Sequence, residues 1–246
     1  MTPRSQALLR LYGVQASWTY ERLSGIGVAH AAAPMLREHF ANRPVEARRA
    51  AVARSAEFFN SHPYLAGIAV GAIVKAERDG VPGPVISRLR TALSGPLGAI
   101  GDQLIWAGEV PALIGFTLAL VPWFGIWAVF MAVIVHNVLR FRLTAWGLDL
   151  GLREGLEIGT ALQRSWLPGR AEDAQRLAAF AIGLAMPLAA WGLLAGLPLR
   201  GSFIMLAVVV LASFLAVAPA TRSRVTGLRV GLALLAFALI FVGEFA

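Results

Sequence analysis

Polar and apolar positions are interleaved up to about residue 92, and from there the chain turns into long apolar runs separated by short polar breaks. Five runs, 97–120, 123–139, 177–197, 202–219 and 228–244, come close to the roughly 20 residues needed to cross a hydrocarbon core. In the interleaved part, apolar residues recur at Leu8, Leu9, Leu11 and Tyr12, then at Val14, Trp18 and Leu23, which predicts helices with one apolar face. Helices of that kind lie at a membrane interface or pack on a partner. Pro63–Val74 is apolar but too short to span, a length that suits a buried, re-entrant or interfacial piece. The predicted fold is all-α: a polytopic membrane protein with interfacial N-terminal helices, re-entrant or broken helices and about five transmembrane spans. Two regions follow. Residues 1–92 form a cytoplasmic or interfacial amphipathic region with the short re-entrant segment, and 93–246 form the transmembrane domain.

Composition sharpens this reading. Only 15% of the 246 residues are charged, against roughly 25% in soluble domains, and the mean hydropathy is +0.66. The absence of cysteine excludes disulfides, thiolate nucleophiles and cysteine metal sites. No cleavable signal peptide is expected, because the segment ahead of Pro63 lacks the apolar core it requires. The net charge of +8 suggests nucleic acid until its distribution is considered. The segments before 97, at 140–176 and at 220–229 hold 12, 6 and 3 of the 22 basic residues, leaving only Arg200 elsewhere. An odd number of spans puts those three segments on one side. By the positive-inside rule they face the cytoplasm, with the N-terminus, while the C-terminus lies outside. Membrane lipid, not nucleic acid, is the expected surroundings.

The stretch Gly95–Trp106 concentrates the candidate chemistry. Pro96 cannot donate a backbone hydrogen bond, and Gly95, Gly98 and Gly101 weaken a regular helix. Irregular backbone at membrane depth needs cover from protein or from a watery cavity. Asp102 is an ionisable group within an apolar run, which marks either a functional site or a helix N-terminus whose free N–H groups it caps. Asp102 and Glu109 are seven positions apart, so a regular helix would place them on one face, two turns apart, as an acid pair or a sugar-binding face. Trp123 and Trp127 suit an aromatic belt near a turn at Pro122.

A second polar set lies ahead of Pro63: Gln15, Ser17, Trp18, Glu21 and Arg22, then Glu57, Asn60 and His62. Amides, carboxylates and aromatic faces are what sugars bind to; the same residues would also serve an interfacial helix with capping groups around Asn60 and Pro63. His30, His39, His62 and His136 show no metal-ligand spacing, and Gly25-Ile-Gly27 lacks the rest of a nucleotide-binding loop. No catalytic residue, metal or cofactor is expected.

Four motifs resemble the IID membrane component of the mannose/fructose/sorbose family of the bacterial sugar phosphotransferase system. They are Gln15-Ala-Ser-Trp-Thr-Tyr-Glu-Arg22, Glu57-Phe-Phe-Asn-Ser-His-Pro63, Gly95-Pro-Leu-Gly-Ala-Ile-Gly-Asp102 with Trp106, and Asn137-Val-Leu-Arg140 before Gly147. They occur in the family's order over about residues 8–195, and the last two spans match only in character. The resemblance implies a bacterial inner-membrane subunit that pairs with a IIC subunit to carry a hexose. Cytoplasmic IIA and IIB proteins pass on the phosphoryl group, so no phosphorylation site is implied in this chain. The sugar path would be carried by Gln15, Trp18, Glu21, Asn60, Asp102 and Trp106. Val110-Pro111 stands where the family commonly has an arginine-proline pair, Thr144 stands where a second arginine is frequent, and the polar segment before the final spans is reduced to Gly196–Ser202. The alternative that these departures raise is a non-transporting scaffold or regulatory component of the same system.

Overall fold

A computed structural model describes residues 1–194, so the predicted runs 202–219 and 228–244 and the C-terminus lie outside the described residues. Met1–Ala185 form one compact unit, and a second unit begins at Met186. The described chain is helical: α1 (Pro3–Leu11), α2 (Gly25–His39), α3 (Val45–Ser55), a tight turn at Pro63–Leu65, α4 (Ala66–Arg78), α5 (Gly83–Gly101), a π-helical segment (Asp102–Glu109), α6 (Val110–Phe124), α7 (Ile126–Glu154), a second tight turn at Gly155–Glu157, α8 (Ile158–Arg164) and α9 (Leu167–Leu194). Among the described residues, extended pairing is limited to isolated bridges.

Local chemistry sets several of the element boundaries. Thr2 accepts a hydrogen bond from the Ser5 N–H and caps α1, with Pro3 in its first turn. The His62 ring accepts from the Tyr64 N–H ahead of Pro63, so the cap around this proline is His62 and not Asn60. Between α6 and α7 the chain reverses at Gly125, where φ is +54°, a conformation that side chains with a β-carbon rarely adopt. Pro122 lies inside α6, so the turn falls just beyond the proline that the sequence suggested.

The short apolar segment is the centre of the fold. Every residue from Leu65 to Val74 is buried, and α4 packs most extensively against α7. That crossing is possible because glycine faces glycine: a β-carbon on Gly71 would stand 2.6 Å from the Leu152 nitrogen, and one on Gly151 would fall on the Ile68 carbonyl. Helices without side chains at the crossing approach backbone to backbone and gain close van der Waals contact. Around α4, the apolar faces of α1 and α2 (Ala7, Leu8 and Leu11; Val28, Ala32 and Met35) complete the core.

Two helical stretches, Gly83–Phe124 and Ile126–Arg164, the second passing through the turn at Gly155, are long and apolar enough to cross a membrane. The first contains the predicted run 97–120 and the second contains 123–139 except its first three residues, which lie at the end of α6 and on Gly125; part of the third run falls on α9. The glycine-rich stretch does not break its helix. α5 continues through Pro96 to Gly101 and leads directly into the π segment. The distortion therefore follows the glycines and takes the form of a widened helix, which keeps its backbone hydrogen-bonded within the run. Large apolar side chains on α6 and α7 point outward, including Trp123 and Trp127, as an aromatic belt requires.

Candidate functional site

Residues 12–24 and 57–62 are brought side by side by backbone hydrogen bonds. The Phe59 N–H donates to the Arg22 carbonyl (3.2 Å), and the Ser24 N–H donates to the Phe59 carbonyl (2.9 Å). Arg90 of α5 locks this junction. It is 1% exposed, donates to the Glu57 carbonyl (2.6 Å), and lies over the Phe59 ring, 5.4 Å from its centroid. Asn60 is joined to the same helix: its N–H donates to the Ser94 hydroxyl at 3.1 Å. The first motif is thus joined to the second, and the second to α5.

His62 is the hub of that meeting. It is 2% exposed, its ring stands edge-on to Tyr64 at 4.8 Å and lies 5.8 Å from the Trp106 ring, and its Nε2 has no hydrogen-bond partner among the described residues. Burial pushes the imidazole down to about 4, with the Asp102 charge opposing the shift. Of the expected sugar-path residues, Asn60, Asp102 and Trp106 therefore gather around His62, with Asp102 and Trp106 on the outer side of the π segment. Gln15, Trp18 and Glu21 lie on the exposed part of the 12–24 loop, where Trp18 meets Tyr20 edge-on at 5.0 Å.

A second constellation lies between the two membrane-length helices. The Tyr64 hydroxyl is 2.9 Å from His136 Nε2, and His136 Nδ1 is 3.0 Å from a Glu109 carboxylate oxygen. Arg140, one turn beyond His136, donates to the Tyr12 carbonyl at 3.0 Å and sits 5.1 Å over the Tyr12 ring and 5.0 Å over the Tyr64 ring. The Thr144 hydroxyl donates to the Tyr64 carbonyl at 3.4 Å. Burial raises the Tyr12 and Tyr64 phenols, and the Arg140 cation opposes both shifts. The spacing of Asp102 and Glu109 suggests an acid pair, but the π turn separates their surroundings. Glu109 is 11% exposed and pairs with His136, whereas Asp102 is exposed. Of this constellation only Arg140 lies in a recognised motif; a contact between elements so far apart along the chain leaves no local signal. Among the described residues no cluster of His, Asp and Glu is arranged to hold a metal.

Long apolar helices with ionisable side chains hydrogen-bonded between them define a helical membrane protein. The chain belongs to the PTS system mannose/fructose/sorbose family IID component, whose model matches residues 2–190. It is 25% identical over 174 residues to the mannose-specific EIID component of Escherichia coli K12, covering 69% of this chain and 61% of that protein. It is 30% identical over 178 residues to the sorbose-specific EIID component of Klebsiella pneumoniae, covering 69% and 63%. The chain thus spans somewhat over three-fifths of the length of these relatives. A cryo-electron microscopy structure of the mannose transporter ManYZ in complex with microcin E492 shares the fold. Its TM-score is 0.56 at 25% identity, with 74% of this chain and 68% of that chain covered.

Proposed function

We propose that the chain is the IID subunit of a hexose permease in the bacterial inner membrane. In this reading it forms the sugar path with a IIC subunit, while cytoplasmic IIA and IIB proteins supply the phosphoryl group. The observation that carries the reading is the meeting of the second and third motifs at His62, beside Gly101, Asp102 and Trp106, within the stretch matched by the family. Asp102 and Trp106, the latter 58% exposed, present a carboxylate and an aromatic face outward from a membrane-length helix. A sugar hydroxyl and a sugar C–H face call for those two groups, and a IIC subunit would supply the opposite wall. Gln15, Trp18 and Glu21 on the exposed 12–24 loop and Asn60 ahead of Pro63 are the further candidates for the path.

The test is sugar uptake by the chain co-expressed with its IIC, IIA and IIB partners. A lost hydrogen bond to a charged group is worth about 1.5–3 kcal/mol, so Asp102→Asn and Asp102→Leu are expected to lower apparent affinity roughly tenfold or more. Both variants should still insert and co-purify with IIC. Normal uptake by Asp102→Leu excludes Asp102 from the path. A second reading, a non-transporting scaffold, is favoured by Thr144. This residue is buried and closed against Tyr64, at a position where an arginine is frequent in the family. Capture of IIA or IIB by a complex that takes up no sugar would establish it.

A further inference from the structure

Glu109, His136 and Tyr64 form an unbroken line of hydrogen bonds from an acid through an imidazole to a phenol, contributed by the π segment, α7 and the turn before α4. Nothing in the proposed sugar path uses it. Glu109 also opens onto a cavity of about 660 Å³ between the π segment, α6, α7 and α9, with charged side chains in its lining, which gives water a route to the Glu109–His136 pair. We propose that Glu109 and His136, bridged to Tyr64, form a proton-binding site inside the membrane-length helices that takes up one proton per chain from water.

The geometry accommodates both protonation states. Without the extra proton, the Tyr64 O–H donates to Nε2 and the Nδ1–H donates to the Glu109 carboxylate, so each ring nitrogen has a partner. When Nε2 takes the proton, a single N–H bond forms, the phenol oxygen turns from donor to acceptor, and no heavy atom has to move. The charged groups around the site set its balance. Arg140 on α7 is the cation over the Tyr64 ring, and it also lies over the Tyr12 ring. Arg142 on α7, with Arg170 and Asp173 on α9, lines the Glu109 cavity. His62 and Asp102 lie beyond Trp106 and Tyr64. Glu109 and Arg140 offset one another before the proton arrives, and together with His136 they carry one net positive charge afterwards. Lines of Asp, Glu and His within membrane helices are the usual carriers of such protons.

The experiment is nitrogen NMR of the full chain, purified in nanodiscs with ¹⁵N-labelled histidine and titrated between about pH 8 and pH 5. The His136 signals are identified by their loss in His136→Gln. The expected result is that His136 passes from one protonated nitrogen to two, and that Glu109→Gln shifts this transition to lower pH or abolishes it, because the carboxylate that favours the imidazolium is gone. Tyr64→Phe, which removes a hydroxyl at nearly constant shape, provides a second shift should Glu109→Gln fail to fold. An unchanged His136 protonation state across the range overturns the proposal, as does a transition that neither variant moves. The readout needs no sugar, so it stands apart from the outcome of the uptake test.

Discussion

The His62 ring rests on Gly101, its Cγ 2.6 Å from the point where a β-carbon on that glycine would stand. This contact explains why a glycine-rich stretch sits inside a helix that is nevertheless continuous: the last glycine is there for its neighbour. Gly95 and Gly98, by contrast, would meet nothing within 4 Å. Gly101→Ala is expected to displace His62 and lower the thermal stability of the purified chain, while Gly98→Ala leaves it unchanged or slightly raised. Equal melting temperatures for the two variants would refute the contact.

His62 also predicts a dependence on pH. Its folded value, about 4, lies below the ordinary 6.5. Between those values the unfolded chain binds a proton that the folded chain refuses, so stability is full above 6.5 and is lost as pH falls toward 4. Burial lowers His30 and His39 as well, so the same sign applies to them and the slope does not vanish on replacing one ring. The difference in melting temperature between the wild type and His62→Gln, followed from about pH 8 to pH 4, isolates the His62 contribution. A difference that does not change with pH counts against a buried neutral ring.

The α4–α7 crossing should not tolerate a side chain. Gly151→Val places a β-carbon on the Ile68 carbonyl, and overpacking of this kind costs typically about 1–3 kcal/mol or more. Gly159→Ala on α8, with open space around it, serves as a neutral control. Thermal unfolding of both variants in the same detergent decides the matter.

Glu77 is 5% exposed and is held by Arg54 through contacts of 2.8, 2.9 and 3.0 Å. Arg54→Met would leave that carboxylate buried and unpaired, and removing one partner of such a pair costs about 3 kcal/mol. The double variant Arg54→Met/Glu77→Met is expected to recover most of the loss, since no charge remains buried. A single-variant loss no larger than the roughly 0–1 kcal/mol of surface pairs would mean that solvent reaches Glu77.

Charge distribution predicts membrane orientation. A reporter active only in the cytoplasm should work when fused after Arg170 or Arg224 and be silent after Ala246. Activity after Ala246 would overturn the odd number of spans.

Hydrophobic periodicity and length by themselves determined that this is a helical membrane protein, because burying the backbone in lipid leaves few alternatives to a long apolar helix. The sequence also located the first two membrane-length helices and the motifs that place the chain in its family, since each is written in adjacent residues, while for Pro63–Val74 it left buried, re-entrant and interfacial placements open. Three things were decided only by the tertiary structure. The glycine-rich stretch became a continuous helix followed by a π segment, with His62, from a separate element far back along the chain, occupying the space beside Gly101. The reversal moved from Pro122 to Gly125, because a proline fits within the helix while a positive φ calls for a glycine. The Tyr64–His136–Glu109 line arises from three separate elements whose spacing along the chain reflects loop lengths rather than chemistry. Tyr64 comes from the turn before α4, His136 from α7 and Glu109 from the π segment, so only their packing brings the three groups within hydrogen-bond reach.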